Sequence, residues 1–101
     1  MADRLDLQAI FEEILGSRNV YFQPPSSVKM NYPAIRFSLK KLDTRHANNQ
    51  AYLRLPCYEV TLIDKNPDSE FVAKILQLPY CQFDRPYTAD NLNHFVFTLY
   101  H

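Results

Sequence analysis

The chain has 101 residues, 47% of them hydrophobic, and eleven basic residues balance eleven acidic ones. That length makes one domain, residues 1–101, burying roughly 65% of the surface its unfolded form exposes; the apolar fraction argues against disorder, and the balanced charge lacks the basic excess of a protein that coats nucleic acid. Gly16 is the sole glycine, so loops that cradle phosphates on closely approaching backbone are excluded, and the nucleotide-binding enzymes with them.

The stretch "ADRLDLQAIFEEILGS" predicts a helix capped by Asp3 and ended by Gly16 in a left-handed conformation. Leu7, Ile10, Phe11, Ile14 and Leu15 form its apolar face, with Glu12 and Glu13 opposite. This start is too charged for a signal peptide, and no apolar run approaches the roughly 20 residues of a membrane span, so a soluble chain made inside the cell is expected. "NVYFQ" reads as a short strand stopped by Pro24 and Pro25, which donate no ladder hydrogen bonds. In "AIRFSLKKL", Ile35, Phe37 and Leu39 are expected inward and Arg36, Ser38 and Lys40 outward.

Asp43 to Ala51 is a polar loop without apolar anchors. In "YLRLPCYEVTLID", Tyr58, Val60 and Leu62 alternate with Glu59 and Thr61, Ile63 is ambiguous, and Pro56 points to an edge position or a bulge. "NPDSEFVAKILQL" predicts a second helix, with Asn66 as cap, Pro67 at the first helical position and an apolar stripe of Phe71, Val72, Ile75 and Leu76. The last third, "YCQFDRPYTADNLNHFVFTLYH", reads as a hairpin: Tyr80 to Tyr87, a turn over Thr88 to Leu92, then His94 to Tyr100. The final strand is apolar on both faces, as if covered on two sides. The expected fold is α+β, with two helices packed on one face of a mainly antiparallel sheet of about five strands, in the order α-β-β-β-α-β-β.

Catalytic chemistry finds no constellation. His46, His94 and His101 have no neighbour at metal-ligand spacing. "NPDSEFVAK" shares a proline-aspartate start with some nuclease metal sites, but its next acid and lysine lack their spacing, and helix capping accounts for the same residues. The serines have no glycine elbow, and Cys57 and Cys81 no evident base; two buried free thiols are expected rather than a disulfide. No catalytic residue, metal or cofactor is expected, and the chain reads as a non-enzyme. Arg85, beside Asp84, either takes a partner's carboxylate through its planar fork or belongs to a solvated strand end. Seven tyrosines and seven phenylalanines exceed what the core obviously needs; core rim, subunit contact and base stacking are the three readings.

In order and wording the segments "VYFQPPSSVKMNYPAIRFSL", "YEVTLIDKNPDSE" and "LPYCQFDRPYTADNLNHFVFTLYH" resemble the tail terminator or tail-completion proteins, the small neck proteins of long-tailed bacteriophages often labelled minor capsid or tail component. The resemblance spans nearly the whole chain and is most specific at "QPP…YPAI" and "FDRPYTADNLNH". It implies a structural virion protein: a homo-oligomeric ring, a hexamer, that ends tail-tube growth at the head-proximal end and joins the tail to the head connector. The expected partners are copies of itself, the tail-tube protein and the head-tail connector proteins, with DNA only as passing cargo and no membrane. A head-completion role in the same neck, a small non-viral adaptor subunit and a metal-dependent nuclease acting through Asp64 or Glu70 are the alternatives, the nuclease last. The candidate interface residues are Gln23, Pro24, Pro25 and Tyr32, on a loop stiffened by proline and so inexpensive to dock. Arg45, His46, Asn48 and Asn49 are candidates on the polar loop, which meets a partner, faces the lumen or is a plain surface connection. Arg85 and Tyr87 are candidates for subunit or partner contact.

Overall fold

In the computed structural model, which describes residues 4–25, 29–42 and 56–101, the first amphipathic segment forms helix α1, Arg4–Leu15. Leu7, Phe11 and Leu15 are buried at four-residue spacing, with Ile10 and Ile14 half-buried beside them. Gly16 ends the helix at φ +72°, donating its N–H to the Glu12 carbonyl at 2.9 Å. Asp3, the expected cap, lies outside the described residues.

The remaining elements are β1 (Val20–Phe22), β2 (Ala34–Leu42), β3 (Pro56–Asp64), α2 (Phe71–Leu76), β4 (Cys81–Ala89) and β5 (Leu92–Tyr100). They form one sheet in the order β1-β2-β3-β5-β4, parallel between β1 and β2 and antiparallel elsewhere. The fold is therefore the expected α+β arrangement.

Directly opposed residues share a face of the sheet. Phe37 opposes Val60, Val60 opposes Phe97, and Phe97 opposes Phe83; this face takes both helices and forms one core with Leu7, Phe11, Leu15 and Ile75. Phe37 is its centre, with ring centroids 5.3 Å from Phe11, 5.0 Å from Phe22 and 5.9 Å from Tyr58. The other face carries the rows Arg36–Thr61–Val96–Arg85 and Ala34–Ile63–His94–Tyr87. Ile63 and Val96 on that face are 3% and 1% exposed, although both helices pack on the other side. They lie on central strands, Val96 between Thr61 and Arg85 in its row and Ile63 between Ala34 and His94.

Several expectations need correction. β3 is a central strand, so Pro56 marks no edge and is tolerated as the first residue of its strand; the other reading, a bulge near that strand's start, holds, with the extra residue on β2 between Leu39 and Lys41, opposite Tyr58 and Cys57. Leu39, expected inward, is 42% exposed, because β1 stops opposite Phe37 and supports nothing beyond it. The second helix starts at Phe71, without Asn66 as cap or Pro67 as its first residue. Local acceptors win there: the Asp64 carboxylate accepts from Asn66 N–H (3.1 Å), the Asn66 side chain from Asp68 N–H (2.9 Å) and Ser69 Oγ from Phe71 N–H (3.4 Å), holding the chain in turns. Leu76, the last residue of the helix, is 41% exposed and stands outside the expected apolar stripe.

The hairpin is tighter than expected. Asp90 and Asn91 both take positive φ (53° and 62°) in a two-residue turn, so the strands run to Ala89 and from Leu92. Tyr80 precedes the strand, at φ 59°. Cys57 opposes Tyr100 and Cys81 opposes Leu99, consecutive residues that point to opposite faces, so the thiols cannot bridge. Both are free; Cys57 is buried, but Cys81 only partly so.

Candidate assembly surfaces

The proline segment is anchored through Gln23. At φ 44° this residue turns the chain out of β1; its N–H donates to the Phe37 carbonyl at 2.9 Å, and its Oε1 accepts from Leu39 N–H at 3.1 Å. The side chain thus continues a ladder that the β1 backbone has left. Pro24 follows half-buried and Pro25 exposed. At the far end of the segment the Tyr32–Pro33 peptide is cis, the Pro33 carbonyl accepts from the Asn19 side chain at 3.4 Å, and Tyr32 is 37% exposed.

Gln23 and Pro24 form a hollow of about 240 Å³ with Arg36, Ser38, Glu59 and Thr61 of the helix-free face. Arg85 joins this area from β4: its guanidinium lies 2.7 Å from the Asp84 carboxylate and 3.9 Å from Glu59, with its side chain 55% exposed. Pairs this exposed contribute on the order of 0–1 kcal/mol to stability, so the charges remain available to a partner. On the next row Tyr87 stacks on His94, with centroids 4.5 Å apart and planes at 17°, and stays 37% exposed. Gln23, Pro24, Arg85 and Tyr87 are thus brought to one side of the sheet. Arg45, His46, Asn48 and Asn49 lie outside the described residues.

Sequence reasoning missed a second surface. β4 is an edge strand, and Gln82 through Thr88 are all exposed. On its helix side Phe83, 43% exposed, sits edge-on to Phe97 at 5.5 Å, and Tyr80 just before the strand is 71% exposed. A third feature is an apolar hollow of about 340 Å³ between α1 and the chain end, lined by Leu7, Ile10, Leu78, Leu99 and His101 among others. Exposed aromatics at an edge are invisible to alternation, which distinguishes inward from outward but not central from edge.

Among the described residues no group of three histidines, cysteines or carboxylates could hold a metal ion, and no helix is long and apolar enough to cross a membrane. Compared with protein-family models, with curated proteins and with solved structures, the chain finds no match.

Proposed function

We propose that the chain is a structural subunit that assembles with copies of itself into a ring, a hexamer, at the head-proximal end of a long bacteriophage tail. There it ends growth of the tail tube and joins the tail to the head connector. The whole-chain resemblance to tail terminator proteins motivates the reading. The observation that supports it most is the gathering of Gln23, Pro24, Arg85 and Tyr87 on one side of the sheet, where Glu59 links the Arg85 end to the hollow beside Gln23. An interface of this kind is built from aromatic and arginine anchors on a rigid frame.

Light scattering on the purified chain, alone and with the tail-tube protein, tests the proposal. A ring-sized species is expected in at least the mixture, and Tyr87→Lys or Tyr32→Lys should abolish it while far-UV circular dichroism stays that of the parent. A chain indifferent to tube and connector proteins would return the assignment to a small adaptor.

A further inference from the structure

The edge of β4 carries a hydrogen-bonding pattern that is its own complement. Tyr100 N–H donates to the Tyr80 carbonyl (3.1 Å), and His101 N–H donates away from β4 to the Pro56 carbonyl (3.1 Å). Backbone groups alternate in direction along an antiparallel pair, so Gln82, opposite Thr98, turns its N–H and C=O toward β5. Cys81 and Phe83 therefore turn theirs outward, away from the sheet. Counting from the other end, the two-residue turn closed by Ala89 and Leu92 sets the same alternation and turns the nitrogen of Pro86 outward, where it has no hydrogen to give. The register shift between Phe83 and Arg85 interrupts the edge between these two stretches.

We propose that the free chain pairs with a second copy of itself through this edge, antiparallel about a two-fold axis at Gln82. Cys81 of each copy then opposes Phe83 of the other, and their outward donors and acceptors meet in four backbone hydrogen bonds. Side chains match by face as well. Cys81 and Phe83 both point to the helix side, bringing two half-exposed phenylalanines under shared cover, and Gln82 meets Gln82 on the other face.

In that register Asp84 opposes Tyr80 and Arg85 opposes Pro79, so no like charges face each other. Centring the axis between Asp84 and Arg85 instead would put the bulge and Pro86 in the middle of the ladder, which both oppose. A strand from an unrelated protein could use the same donors, but the register is matched by the chain itself. An isologous contact joins two copies and stops, so it describes the chain before any ring forms and does not depend on the ring proposal.

Two measurements without tail-tube protein test the pairing. Sedimentation equilibrium should give twice the 11.9 kDa chain mass, returning to one chain mass in Phe83→Pro, which removes an outward N–H and spares the inward ladder. Gln82→Cys in a Cys81→Ser background should cross-link into covalent dimers on mild oxidation, because the axis places the two new thiols face to face. A parent of one chain mass, or a folded Gln82→Cys chain that stays uncrosslinked, overturns the proposal. Should Phe83→Pro fail to fold, or the parent run at ring size, the cross-link decides alone.

Discussion

At the scale of single residues, Cys81 shows how partial burial sets chemistry. Burial raises its thiol from 9.0 to about 11, so the nucleophilic thiolate is scarce at neutral pH and the residue is a poor redox or catalytic centre. The unfolded chain ionises near 9 and the folded chain only near 11. The fold therefore favours the protonated thiol: this contribution is whole below pH 9 and is lost as pH rises toward 11. Urea midpoints of the parent should fall over that interval by more than those of Cys81→Ser, whose hydroxyl does not titrate there; equal slopes would remove the buried thiol as the cause. Gln23 is the other instructive residue. Chosen from sequence as part of a docking platform, it also serves the sheet, because its side chain accepts from Leu39 N–H.

At the scale of elements, legibility followed the range of the forces involved. β2 was readable because Ile35, Phe37 and Leu39 alternate with Arg36, Ser38 and Lys40 as far as its bulge, and α1 because its apolar stripe and Gly16 agree. The start of α2 was not, because capping by Asn66 and turn formation by the same side chain look identical in sequence, and only tertiary packing chooses between them. The candidate surface was half legible. Arg85 and Tyr87 are residue types that interfaces favour, whereas the exposure of Phe83 and Tyr80 depends on β4 ending up at an edge, a fact of topology. The hairpin makes its own prediction. Asn91 holds φ 62°, which Asn tolerates and a β-branched residue does not. Asn91→Val should lower stability by about 1–2 kcal/mol, and Asn91→Gly should equal or exceed the parent, both read from denaturation midpoints. A neutral valine would mean that the turn adopts another conformation.

At the scale of the whole molecule, a single aromatic cluster ties the layers together. Phe37 touches α1 through Phe11, β1 through Phe22 and β3 through Tyr58. Removing a buried phenylalanine ring costs about 3–5 kcal/mol, against a total of roughly 5–15 kcal/mol for a domain. Phe37→Ala should therefore lose most of its cooperative melt by circular dichroism, and a melting temperature within a few degrees of the parent would disperse that central role among its neighbours. The sheet also has two unlike faces. The helix-free side already buries Val96 and Ile63 in the middle of its rows, whereas the β4 edge leaves phenylalanine in water. A partner on the helix-free face meets Arg85 and Glu59 as well as Tyr87, so polar burial there offsets part of the heat-capacity decrease that its aromatic contact brings. Contact at the β4 edge withdraws apolar surface from water and lowers the heat capacity. The two proposed contacts would thus differ in their response to temperature: warming from the cold strengthens an apolar hold at the edge more than a polar one on the helix-free face.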